Sequence, residues 1–270
     1  MHTFSLLTLN CFGAPGIRTA SRLRHLAHEL NHADYAAVCL QEVQSHHFRK
    51  LLTHACHPTY PEHAYQQFIH APKGGLLTLS RLPLDADEFI LFQNRGLWYT
   101  PAVTDWILHK GVLITRFRVG QRTVVVLNTH LTANYMGDWS RGNPFARQEH
   151  NELMQVAELV SAQPAEHIVI VCGDFNIPRG SWLYESFLAA ASLTDPLAGD
   201  DRPTFRPHPG MGRHYAAPID FTLYRAPGSL RLRSTADLRF HNKLRIRDRD
   251  MHISDHLAVE LGLSWEEVDY

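Results

Sequence analysis

The sequence predicts a mixed α/β fold, and two observations carry that expectation. Short apolar runs rich in β-branched residues recur along the chain, each bounded by Gly, Pro, Asn or Asp, which is how strands are punctuated. Between them lie stretches whose apolar residues repeat at helical spacing. The 270 residues fit one large domain, and no internal repeat, heptad run or low-complexity tract divides them, so 1–270 reads as a single domain.

Taken in order, strands are expected over 4–9, 36–40, 76–79, 112–117, 123–127, 167–171, 219–224 and 257–261. Leu23, Leu26, Ala27 and Leu30 share one face of a helix over 18–31, and Leu153, Val156, Ala157 and Val160 do the same within 144–163. Ser181 is placed to cap a helix carrying Leu183, Phe187 and Leu188. Long loops are expected at about 85–110 and 195–218, a length that in a compact domain is usually either functional or mobile.

Composition narrows the classes. A net charge of −1 gives no global field that would advertise nucleic acid as the partner. One local exception runs from Arg225 to Arg249, with eight Lys/Arg against two Asp, and reads either as a solvated edge strand and loop or as a contact for an anionic surface. The four cysteines, Cys11, Cys39, Cys56 and Cys172, have no Cys-x-x-Cys spacing. Cys39 and Cys172 lie in apolar runs and read as small buried hydrophobes, so nothing demands an oxidising compartment. No signal-peptide pattern opens the chain and no run reaches the roughly 18 apolar residues of a membrane span, which makes cytoplasmic the default expectation and leaves peripheral membrane contact open.

The informative pattern is the polar residue at each strand end. Asn10 ends the first apolar run, Glu42 the second and His130 the run before Leu131. Asp174 and Asn176 follow 167–171 as Gly-Asp-Phe-Asn, Asp220 lies in Pro-Ile-Asp-Phe, and Asp255 and His256 open the last strand. A scaffold that delivers such residues from its strand ends is building one polar site. Glu42 and Asp255 are hard oxygen donors suited to magnesium, and Asn10 either joins them or holds Glu42 in place. His256 suits a general base, with Asp220 to fix its tautomer. His130 and Asn176 suit hydrogen bonding to a phosphoryl oxygen as charge builds on it. Asp174 either orients a group near the metal or protonates the leaving oxygen.

These motifs, in this order, resemble the endonuclease/exonuclease/phosphatase superfamily with its deoxyribonuclease-I-like fold. They are Thr-Leu-Asn at Asn10, Gln-Glu-Val at Glu42, Asn-Thr-His-Leu at His130, Gly-Asp-Phe-Asn, Ile-Asp-Phe at Asp220 and Ser-Asp-His, and they span residues 8 to 256. The resemblance implies a four-layered α/β/β/α sandwich of two packed mixed sheets flanked by helices. It also implies magnesium, with manganese as the alternative and a second ion left open, held through Glu42 with Asn10 and Asp255 nearby. His256 would be the base held by Asp220, while His130 and Asn176 steady the phosphate during in-line attack by water.

Within that superfamily, Thr104-Asp-Trp-Ile-Leu-His-Lys-Gly-Val resembles a loop of neutral sphingomyelinases in which an Asp and a Lys, here Asp105 and Lys110, precede a strand. The stretch 74–83 is similar to that branch as well, and Leu97, Trp98, Tyr99 and Trp106 are suited either to packing or to a lipid interface. Lys110 would offer a point charge to phosphate, with Asp105 holding or releasing it, the bland alternative being a surface ion pair. The expected substrate is thus a phosphodiester: a phospholipid such as sphingomyelin, with DNA or RNA as the alternative and a non-catalytic scaffold as the third reading.

Overall fold

The computed structural model describes residues 1–93 and 108–268. Its first sheet has six strands in the order β10-β13-β1-β2-β4-β3, where β1 is His2–Asn10, β2 Ala37–Gln41, β3 Glu62–Ala64, β4 Leu77–Ser80, β10 Leu230–Arg239 and β13 Ala258–Glu267. The second has five, β5 Ala86–Leu91, β6 Gly111–Val119, β7 Arg122–His130, β8 Ile168–Asp174 and β9 Asp220–Arg225, in sequence order. A separate hairpin joins β11 Leu244–Ile246 to β12 Arg249–Met251. The β1–β2 and β7–β8 pairs are parallel, and the remaining pairs are antiparallel.

Period-2 alternation builds the layers. In β1, Phe4 and Leu6 enter the core shared by the two sheets, while Leu7 and Leu9 turn outward to Leu23, Leu26 and Leu30 of α1 (Thr19–Asn31) and Leu52 of α2 (His46–Cys56). In β8, Ile168, Ile170 and Cys172 face the first sheet. Val169 and Val171 face Leu153 and Val156 of α3 (Pro144–Ser161) and Phe187 of α4 (Trp182–Ala191). The result is a four-layered α/β/β/α sandwich, as expected. Asn143 caps α3 and Ser181 caps α4 through their side chains.

The eight expected strands and three expected helices all form, within about three residues of their expected limits except β13, which runs on to Glu267. The structure adds α2, β3, β5 and β10–β12. The region 85–110, expected as loop, opens with β5, which pairs along β6 from Ala86↔Arg116 to Leu91↔Gly111. That strand hid because its first three residues are exposed and it buries little. The basic run of 225–249 is the edge strand β10 and the hairpin, matching the solvated-edge reading. Many of its charges are met locally: Arg225 binds the carbonyls of Val160, Gln163 and Pro164, Arg239 faces Glu260, and Arg245 faces Asp250.

Candidate active site

Register places the polar strand ends on common rungs. Asn10 pairs with Gln41, the neighbour of Glu42, on the first sheet. His130 pairs with Asp174, and Asp174 with Asp220, on the second. Gly173 makes this rung fit: with φ at 140° it lies so near β7 that a Cβ would stand 1.8 Å from the Thr129 carbonyl. Glu42 is turned out of its strand by a left-handed φ of 57°, and a Cβ on Gly13 would lie 2.2 Å from its carbonyl, so a glycine is needed beside it. Asn176 is likewise left-handed at φ 54°; such conformations collect at functional sites.

The side chains converge on a cleft of about 560 Å³ lined by Glu42, Lys110, His130, Asp174, Asn176, Asp255 and His256, with Phe12, Tyr135, Phe205, His208 and Met211 among its walls. Asn10 and Asp220 stand behind that lining and hold it. Asn10 Nδ2 donates to Glu42 Oε1 at 3.0 Å and to Asp174 Oδ2 at 2.9 Å, tying the two sheets together, while its Oδ1 accepts from the Phe12 N–H. Asp220 Oδ2 lies 2.9 Å from His256 Nδ1, and its Oδ1 is buried without a hydrogen-bond partner. His256 Nε2 stands 3.7 Å from Asp174 Oδ2, and His130 Nε2 stands 3.5 Å from the same oxygen. Asn176 donates its N–H to Asp174 Oδ1 and its Nδ2 to the Leu131 carbonyl, which also accepts from Lys110 Nζ at 2.6 Å. Asp105, Leu97, Trp98, Tyr99 and Trp106 fall outside the described residues.

Electrostatics follow from burial and crowding. Burial works against a charged His256, but Asp220 and Asp174 outweigh it and push the imidazole up to about 10. Burial raises the Asp174 carboxyl to about 7, against the pull of His256, and burial likewise pushes Glu42 up. His130 goes the other way: burial first, then Lys110 and His256, hold it well below the usual imidazole range. One oxygen each of Asp174 and Asp220 and a nitrogen of His256 lie within 4.8 Å of one another. That tight group is closed by its own Asp220–His256 hydrogen bond, whereas Glu42, just after β2, and Asp255, just before β13, line the open cleft from the two strands that flank β1. A carboxylate pair opening on a cleft is the donor set that suits a hard divalent ion.

Sequence reasoning missed the groups that brace these residues. Thr204 Oγ1 accepts from the Asp220 N–H, Ser254 Oγ donates to the Asn10 carbonyl, and Arg206 binds the carbonyls of Ser254 and His256. His208 Nε2 lies 3.2 Å from Asp255 Oδ2. Three of these four come from the 195–218 stretch, whose length was the available signal.

The chain is 28% identical over 168 residues to an inositol phosphosphingolipids phospholipase C of Saccharomyces cerevisiae, covering 60% of this chain and 34% of that protein. It is 25% identical over 177 residues to human sphingomyelin phosphodiesterase 2, covering 64% and 40%. The chain therefore spans between a third and a half of the length of such relatives. In fold it is similar to sphingomyelinase C from Streptomyces griseocarneus, with a TM-score of 0.71 at 21% identity over 96% of this chain and 99% of that one. It is equally similar to D. rerio TDP2 complexed with single-strand DNA product, with a TM-score of 0.72 at 17% identity over 97% and 99%. Residues 7–256 match the family model itself, and the chain belongs to the Endonuclease/Exonuclease/phosphatase family.

Proposed function

We propose that the cleft hydrolyses a phosphodiester by in-line attack of water on phosphorus, with His256 taking the proton of the water. The observation that carries this reading is His256 itself: Nδ1 is held by Asp220 at 2.9 Å while the ring lines the cleft, so Nε2 is the nitrogen left for chemistry. Asp220 fixes the tautomer, as the partner of a histidine base must. Lys110, His130 and Asn176 line the same cleft and supply donors for phosphoryl oxygens as charge accumulates. Asp174, raised to about 7, is suited to give a proton to the departing oxygen. Glu42 and Asp255 would hold magnesium or manganese, with Asn10 orienting Glu42; the ion's charge would polarise the phosphoryl oxygen and favour the neutral imidazole.

For the substrate, a sphingolipid phosphodiester is favoured, because the curated relatives act by name on sphingomyelin or inositol phosphosphingolipids. Peripheral contact with a lipid surface follows from that choice; among the described residues no helix is long and apolar enough to cross a membrane. Release of phosphocholine from sphingomyelin in mixed micelles, and of phosphoinositol from its inositol counterpart, tests it. Turnover should require magnesium and stop with EDTA, and Lys110→Ala should cost on the order of tenfold or more, as loss of an anion-stabilising group does. Absence of release from either lipid would remove the lipid reading and leave the phosphodiesterase reading to other diesters.

Nucleic acid is the second reading, on the exposed charges of the β11–β12 hairpin. DNA cleavage would then fall steeply with salt as phosphate contacts lose their counterion-release contribution. Salt-insensitive cleavage would speak against it, and so do the local carboxylates that already face Arg245 and Arg249.

A further inference from the structure

Helix α3 turns two carboxylates inward one turn apart, Glu149 and Glu152, and both are buried, at 0% and 2% exposure. Burying a carboxylate is costly unless hydrogen bonds compensate, and the reaction proposed above uses neither residue. Glu152 is fully engaged. Its Oε2 accepts from the Thr132 backbone N–H at 2.9 Å, and its Oε1 accepts from the Thr132 hydroxyl at 2.6 Å and Gln148 Nε2 at 2.9 Å. Burial pushes this carboxyl up, and the three donors converging on it work against burial and favour the ionised, acceptor-only form.

The Thr132 N–H and the Leu131 C=O belong to one peptide unit, which is planar. Glu152 thus grips one edge of a plate whose other edge, the Leu131 carbonyl, accepts from Lys110 Nζ at 2.6 Å and Asn176 Nδ2 at 3.0 Å. Turning the plate moves both acceptor directions at once. A charge-assisted bond on the N–H also polarises the carbonyl and strengthens it as an acceptor, so a buried anion on α3 reaches the buried ammonium of Lys110 through one amide. Lys110 comes from the entrance of β6 and Asn176 from beyond β8, and this plate is a contact they share.

We propose that Glu152 is a positioning residue for the cleft: through the Leu131–Thr132 peptide it sets where Lys110 Nζ and Asn176 Nδ2 stand. What those groups then do rests on the phosphodiesterase reading; the relay itself does not.

The test is Glu152→Gln, which keeps the size but leaves one oxygen where two accept. The side-chain NH₂ of Asn176, assigned by Asn176→Ala, is followed by NMR in the folded protein without substrate, and kcat and KM are measured on a phosphodiester in parallel. The relay predicts a shifted Asn176 NH₂ signal with exchange faster by about tenfold, and a kcat lowered by about tenfold with KM within threefold, the scale of lost outer-shell support. Glu152→Asp, which retains the charge, should restore part of both, and it reads the same amide if Glu152→Gln fails to fold. An Asn176 NH₂ unchanged in both variants overturns the proposal whatever the turnover. A responsive amide in a protein that hydrolyses no diester supports the relay and defeats the phosphodiesterase reading instead.

Discussion

Arg179 and Asp195 face each other at 2.8 Å with side chains 4% and 1% exposed, and His256 and Asp220 do so at 2.9 Å with 6% and 1%. By distance and burial the two pairs are alike. The first is closed on itself: Asp195 also accepts from the Tyr184 hydroxyl and the Leu197 N–H, and Arg179 reaches on to the Asp200 carbonyl. It stitches the 195–218 stretch to the helix α4 side of the second sheet. The second pair is open. Among the described residues each pair keeps one buried atom without a hydrogen-bond partner, Arg179 Nη2 in the first and Asp220 Oδ1 in the second, but only His256 lines a cleft, beside Asp174, Asp255 and Glu42. Burial and charge pairing therefore do not mark a candidate site by themselves; what separates the second pair from the first is its open side toward a cleft shared with other carboxylates.

That contrast can be broken from either side. The largest effect on turnover is expected at the open pair: His256→Ala should lower kcat per folded molecule by about 10²-fold or more, the usual scale for a general base, and because it leaves Asp220 buried without its partner the folded fraction is measured alongside. A loss under about fivefold would remove His256 from that role. At the closed pair the effect should move to stability. Asp195→Ala leaves Arg179 buried without its partner and should cost about 3–5 kcal/mol in urea unfolding, while the folded fraction keeps near-normal turnover. A stable but inactive Asp195→Ala would mean that this pair, too, belongs to the chemistry.

A smaller, more specific effect concerns pH. Asp220 leads the charges that lift His256 to about 10 against burial, so removing that charge must lower the imidazole pKa and let the base form appear at lower pH. In Asp220→Asn the acid limb of kcat/KM should move down by about one unit or more, on top of a lower plateau. An acid limb that stays in place or moves up would show that another group controls it.

Much of this was legible in the sequence, and the reason is geometric. Strands buried on both faces announce themselves as apolar runs, as in Ile168 to Val171, and the residue that ends such a run must lie at the sheet edge where Asp174 lies. The rungs His130–Asp174–Asp220 follow from pairing alone. Elements that bury little were silent: β5 shows no clean alternation, and α2 fully buries only Phe48, Leu52 and Cys56. The bracing groups were silent for a different reason. Thr204, His208 and Glu152 act on residues far along the chain, Thr204 on the Ile219 and Asp220 N–H groups, His208 on Asp255 and Glu152 on Thr132, and nothing in their immediate neighbours distinguishes them from ordinary surface residues.

Which bond breaks, and what breaks it, separates attack of water on phosphorus from every other route. Hydrolysis of bis(p-nitrophenyl) phosphate in ¹⁸O-labelled water, with magnesium or EDTA and with wild type beside His256→Ala, reads both at once. Attack of water on phosphorus predicts one ¹⁸O in the p-nitrophenyl phosphate product, unlabelled p-nitrophenol, and turnover that needs the ion and His256. Label in the p-nitrophenol, or turnover indifferent to EDTA and to His256→Ala, would contradict it.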